Sequence, residues 1–138
     1  MAALKQYQTV NTQAQAIEAS PHRLIQMLME GGLTRLAQAR GAMERNQVAL
    51  KGELISKAIG IIGGLREGLN LEQGGEVAQN LAALYDYSIR TLTEANLQNS
   101  QEKLDEVAKI FINIKEGWDG IPSEVRNEFK AKKAGPAS

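Results

Sequence analysis

Two residues are the natural places to look for chemistry. One is His22, the single histidine. The other is Asp86, the acidic residue with the least ordinary neighbours, Tyr85 and Tyr87. An imidazole is the side chain most readily used for proton or phosphoryl transfer near neutral pH. His22 follows Pro21 at the start of the first helical run, where a solvent-facing first-turn position is expected. A histidine phosphotransfer bundle presents its imidazole in mid-helix among cations and small residues, so His22 is badly placed for that task. A di-iron bundle needs Glu-x-x-His on each of two helices, and one histidine does not supply it. Without cysteine there is no thiolate nucleophile, and no histidine-based triad can be assembled. Gly63-Gly64 and Gly74-Gly75-Glu76 are isolated pairs that lack the spacing of a phosphate loop, and the second reads as a turn. Asp86 is expected to hydrogen-bond a tyrosine or cap neighbouring backbone. The residues therefore nominate no catalytic group, no metal site and no cofactor, and they argue against an enzyme.

Composition narrows the classes further. The 138 residues suit one domain, with 43% hydrophobic and 23% charged residues in an ordinary globular balance. Sixteen Lys and Arg balance sixteen Asp and Glu. The chain thus lacks the basic excess on which phosphate-dominated nucleic-acid binding rests. The opening MAALKQYQTVNTQAQ has no continuous apolar core of a secretory signal, and no stretch approaches the roughly 20 apolar residues of a membrane span. Absence of cysteine suits a reducing compartment, so the cytoplasm is the expected location. With two Phe, three Tyr and one Trp, the core must be mostly aliphatic.

The elements that would position these residues read as helices, because β-branched residues never alternate with polar ones over a convincing run. Ser20-Pro21 opens a first run, with Ser as cap and Pro at the first helical position, and Asn46 closes it. A second run covers about 48–69, and 70–75 breaks it. Glu76 opens a third that reaches Asn96. Asn99 with Glu102 resembles a capping box launching a fourth run through Leu104, Val107, Phe111, Ile114 and Trp118. Ser123 caps a short final helix. Short connections between long runs predict an all-α fold, an antiparallel up-down four-helix bundle. A mobile segment over 1–19, a bundle domain over 20–130 and a frayed tail over 131–138 complete the expected organisation. Gly31-Gly32, Gly41, Gly60 and Gly63-Gly64 fall inside the runs, and close helix packing is the plain explanation.

The apolar arcs are wider than a four-helix core requires. On the second run, Leu54, Ile55, Ala58, Ile59, Ile61, Ile62, Leu65 and Leu69 sweep about 160° at 100° per residue, interrupted only by Arg66. On the fourth, Ile110 and Ile112 flank the seam, and the first run is broader still. Surplus apolar surface marks a protein interface or lies under the chain's own terminal segments. For any one position, simple burial in the core is an equally good reading. A helix-binding protein and a structural homodimer both stay open at this point, as does a weaker phosphotransfer reading through His22.

Taken in order, SPHRLIQMLMEG at 20–31, KAIGIIGGLREGLN at 57–70, GGEVAQNLAALYDYSIRTLTEAN at 74–96 and LDEVAKIFINIKEGWDGI at 104–121 resemble the FliS family of flagellin-specific export chaperones. The resemblance covers most of the chain. It implies a cytoplasmic chaperone that binds the disordered C-terminal segment of flagellin as helices on a four-helix bundle before type III export. That binding prevents premature polymerisation and aids delivery to the export gate. The anti-sigma factor FlgM is a further partner of some members. It also implies that Tyr7, in Gln6-Tyr7-Gln8-Thr9-Val10, covers an apolar groove when no client is present. One departure is Met29, where many relatives carry Tyr.

Combining the arcs with the resemblance gives a set of flagellin-binding candidates. Tyr7 and Val10 form the removable lid. Leu54, Ile55, Ala58, Ile59, Ile61, Ile62 and Leu65 come from the second run, Tyr85 from the third, and Val107, Ala108 and Ile112 from the fourth.

Overall fold

The structure, a computed structural model, describes residues 20–72 and 74–121. Among the described residues there are four helices: α1 Pro21–Glu44, α2 Val48–Glu67, α3 Gly75–Gln98 and α4 Gln101–Asp119. No strand occurs among the described residues. The expected lid over 1–19, the short helix from Ser123 and the tail over 131–138 lie outside them.

Local chemistry explains the helix ends. The Ser20 hydroxyl accepts from the Arg23 amide at 3.2 Å, capping α1 as expected. Asn46, at φ 57°, ends the same helix in the left-handed conformation that asparagine tolerates. The Asn46 amide donates to the Met43 carbonyl and the Gln47 amide to that of Ala42, at 3.2 and 2.9 Å, which satisfies the last turn. The α3–α4 connection repeats the device and corrects one expectation. Asn99, at φ 52° and ψ 46°, terminates α3, and the neighbouring Ser100 starts α4 by accepting from the Lys103 amide at 3.2 Å. A residue held left-handed to close one helix lacks the extended backbone of an N-cap, so the capping duty moves to the next residue. At the opposite end of the bundle, the glycine pair is a steric need. A Cβ on Gly74 would meet the Ala78 Cβ at 2.5 Å, and Gly75 has φ +58°.

Side-chain contacts establish the order of the helices. A Cβ on Gly31 or Gly32 of α1 would stand 3.7 or 3.6 Å from the Ile61 side chain of α2. Between α2 and α3, the Arg66 Nε donates to Asp86 at 2.8 Å near one end, and the Lys51 Nζ donates to the Asn96 carbonyl at 3.0 Å near the other. From α3 to α4, the Tyr85 and Phe111 rings stack with centroids 5.8 Å apart, while Tyr87 donates to Glu106 and Lys103 to Glu94. From α4 back to α1, Asp119 accepts from Gln26, Lys115 faces Glu30 and Asp105 pairs with Arg40. In the α2–α3, α3–α4 and α4–α1 pairs the residue numbers rise on one helix as they fall on the other. The result is the antiparallel up-down four-helix bundle.

The core is built on stripes of i, i+3, i+4 spacing. Met29, Leu36, Ala39 and Met43 of α1, Ile55, Ala58 and Ile62 of α2, Leu92 of α3 and Leu104 and Val107 of α4 are all buried. Each large aliphatic side chain so buried contributes about 1.5–3 kcal/mol. The exposed ion pairs between helices are each worth about 0–1 kcal/mol, so they tune register more than stability. Met29 is fully buried. The position at which the resemblance leads one to expect Tyr therefore belongs, in this chain, to the interior.

Candidate helix-binding surface

The flagellin-binding candidates separate into three groups when placed on the bundle. Leu54, Ile55, Ala58, Ile62 and Leu65 of α2, Tyr85 of α3 and Val107 of α4 are buried. Ile59, Ile61 and Ala108 are half-buried, and Ile112 is 45% exposed. Tyr7 and Val10 lie outside the described residues. Most of the wide α2 arc is thus consumed by the bundle itself. What is left of it does not form one strip: Ile59 and Ile61 are 200° apart around the helix, so they flank the buried stripe on opposite sides. Ile61 borders α1 across Gly31 and Gly32, whereas Ile59 shares a flank with Arg66, which faces α3.

Residues that the sequence did not nominate extend the accessible apolar surface. Leu28 on α1 is 41% exposed, one turn from Gly31 and Gly32 and hence beside Ile61. Leu84 and Tyr87 on α3 are also exposed, and Tyr87 reaches Glu106 of α4 at 2.6 Å. Ile112 follows Asp105 by seven residues and so shares the flank of α4 that pairs with Arg40 of α1. Apolar side chains therefore border the α1–α2, α3–α4 and α4–α1 seams. The missed signal was flank position: exposure falls to residues just off the buried stripe, which an arc width alone does not separate from the core.

Polar groups border these seams without forming a reaction centre. Hydrogen bonding to Arg66 holds the Asp86 carboxyl below its ordinary range, against a smaller opposing effect of desolvation. Asp86 thus pairs with the very arginine that interrupts the α2 arc, and not with a tyrosine or a backbone group as expected. The hydrogen bond that Lys103 donates to Glu94 holds the Lys103 ammonium above the ordinary lysine value. Burial pushes the Tyr85 phenol up to about 12. Among the described residues no group of acidic or histidine side chains is arranged to hold a metal ion. No described helix is long and apolar enough to cross a membrane.

His22 is 3% exposed, which corrects the expectation of a solvent-facing ring. Its position explains this. The series 22, 25, 29, 32, 36, 39, 43 alternates steps of three and four, so His22 falls on the stripe of α1 that carries buried Met29, Leu36, Ala39 and Met43. A ring buried on that stripe is not presented to a phosphoryl donor.

The glycines also depart from expectation. Gly31 and Gly32 do sit at a helix contact, but a Cβ on Gly60, Gly63 or Gly64 would meet nothing within 4 Å. Close packing inside the bundle therefore does not account for these three residues on α2.

Comparison with known proteins agrees with this architecture. Residues 3–125 match the model of the family described as Flagellar protein FliS. This chain belongs to the FliS family. It is 62% identical over 121 residues to the Flagellar secretion chaperone FliSB of Pseudomonas aeruginosa, covering 88% of this chain and 96% of the relative. The Flagellar secretion chaperone FliS of Vibrio cholerae is 43% identical over 124 residues, covering 90% and 91%. That of Salmonella typhimurium is 46% identical over 119 residues, covering 86% and 88%. FliS is a family of chaperones and not an enzyme class, and the all-helical bundle with apolar seams is the structural form it takes in this chain.

Proposed function

We propose that this chain is a cytoplasmic chaperone of flagellar type III export that holds the disordered C-terminal segment of flagellin. The observation that carries the reading is a FliS-family bundle that leaves large apolar side chains, Leu28, Leu84 and Ile112 among them, in water along its helix seams. A flagellin segment that forms amphipathic helices would otherwise expose its own apolar face, inviting polymerisation or proteolysis. Laid along a seam, that face is hidden. Each aliphatic anchor buried contributes about 1.5–3 kcal/mol. Ordering the segment costs about 2–5 kcal/mol or more, so several anchors suffice for stable capture.

In this reading Ile59, Ile61, Ala108 and Ile112 contact the client directly. The buried candidates Leu54, Ile55, Ala58, Ile62, Leu65, Tyr85 and Val107 shape the wall behind them. Tyr7 and Val10 cover the groove until the client arrives. Delivery to an export-gate component follows, and FlgM is a second partner.

Titration with a synthetic peptide of the flagellin C-terminal segment tests the proposal. Calorimetry should give one-to-one binding and circular dichroism a gain of helix beyond the sum of the components. Absence of binding by the full-length protein overturns it. Deleting residues 1–15 should tighten or speed peptide binding, and an unchanged affinity and association rate would remove the lid from the scheme.

A further inference from the structure

At the end of the bundle where α1 turns into α2 and α3 into α4, a half-open pocket of about 150 Å³ lies between the two connections. Its apolar walls are Ala42 and Met43, which are buried, and Val48 and Leu97, which are 69% and 81% exposed. Its polar lining includes Lys51 together with Asn46 and Asn99, the two non-glycine residues in left-handed conformation among the described residues. Lys51 is 95% buried, being 5% exposed, yet its ammonium meets only neutral oxygens, the Asn96 carbonyl at 3.0 Å and the Asn99 Oδ1 at 3.1 Å. Among the described residues no carboxylate lies within ion-pair distance of it. An ammonium has three protons to donate, and a buried charge ordinarily has a counter-charge. A second positive element adjoins it. Gln47 offers no side-chain acceptor to the first-turn amides of α2, so that end of the helix presents uncapped N–H groups beside the same pocket.

We propose that this pocket binds the C-terminal end of a polypeptide, taking the α-carboxylate on Lys51 and the α2 amides and the last aliphatic side chain between Val48 and Leu97. The requirements agree. Lys51 contributes one positive charge with no described carboxylate paired to it, the walls are aliphatic, and the volume is well below the roughly 300–1,000 Å³ of a cofactor site, leaving room for one residue. An isolated acid or phosphate would use the ammonium and leave Val48 and Leu97 in water. The pocket shares no residue with the client surface proposed above and does not depend on that reading.

The test is a titration of N-acetyl-leucine into the full-length, isotope-labelled protein, followed by backbone amide shifts. Saturable millimolar binding should move the Val48, Lys51, Leu97 and Asn99 amides. N-acetyl-leucinamide, which lacks the charge, should bind about tenfold more weakly or not at all, as loss of a charged hydrogen bond requires. Acetate alone should bind more weakly than N-acetyl-leucine, and so should N-acetyl-glutamine with a side-chain amide in place of the aliphatic group. Lys51→Met should abolish binding. Because that variant also loses the tie to α3, Leu97→Asn, at an exposed position, provides a second arm and should weaken binding several-fold with an unchanged unfolding midpoint. The proposal is overturned if acid and amide bind alike, if acetate binds as well as N-acetyl-leucine, if Leu97→Asn binds as tightly as the parent protein, or if no amide moves saturably. It is also overturned if a carboxylate on a side chain, supplied as N-acetyl-glutamate α-amide, outcompetes the chain end.

Discussion

Along α2, Ile55, Ala58, Ile62 and Leu65 are buried at steps of three and four, while Gly60, Gly63 and Gly64 lie off that stripe with nothing within 4 Å of where a Cβ would stand. The same helix thus has one side whose side chains are buried and another on which side chains have been left out. On the inward side, size and shape are fixed by the surrounding bundle. On the outward side, glycine is retained although alanine would fit and would favour the helix. The contrast separates what holds the bundle together from what is available to a partner, and the two should respond oppositely to substitution.

The inward side should give the largest response. Ile62→Ala removes a side chain that is 1% exposed at the centre of the bundle, and it should cost about 2–5 kcal/mol in urea or thermal unfolding. A loss below about 1 kcal/mol would mean that the bundle closes over the cavity and that its packing is looser than described.

The outward side should respond with the opposite sign. Gly60→Ala has free space for its methyl group and a helical backbone, so it should stabilise the protein by about 0.5–1 kcal/mol. Destabilisation by that substitution would show that this face is covered, and the contrast between the two sides of α2 would fail.

The boundary between the two sides carries Arg66 and Asp86, and its effect should be smaller still. The folded-state carboxyl of Asp86 lies below its ordinary 3.8 because it accepts from Arg66. Its contribution to stability is therefore fully present above the unfolded value and is lost as pH falls through the folded value. Both side chains are about two-fifths exposed, so solvent and salt screen the pair. Asp86→Asn should lower stability slightly near neutrality in low salt, where the carboxylate contributes, and flatten the decline of stability with acid below about pH 4. An effect of the substitution that is as large at pH 7 in high salt as in low salt would point to packing and not to charge.

Much of this arrangement is written locally in the chain. Ser20-Pro21 and Asn46 mark the ends of α1 because capping and left-handed backbone depend on a few adjacent residues. The same local rule misplaces the start of α4 by one residue, since asparagine serves both as an N-cap and as a left-handed C-terminal residue, and Asn99 takes the second role. Arg66 shows what local pattern does not contain. It reads as an interruption of an apolar arc, and only the antiparallel register of α2 and α3 brings Asp86, twenty residues away, to its guanidinium. His22 was legible in principle, because its place in the three-four series of α1 predicts burial more directly than its neighbour Pro21 predicts exposure. The client surface was the least legible part. Ile62 and Ile61 are adjacent and equally apolar, and the difference between a fully buried and a half-buried side chain arises from which flank a neighbouring helix occupies.

The most direct test of the central claim, that the half-buried and exposed apolar residues at the seams hold a client helix while the inner stripe holds the bundle, is methyl NMR of the full-length protein during titration with the flagellin C-terminal peptide. The account predicts large shifts and intermolecular contacts at Leu28, Ile61 and Ile112, with Ile62, Leu104 and Val107 moving little. Saturating binding that shifts the inner methyls and leaves those at the seams unchanged would contradict it.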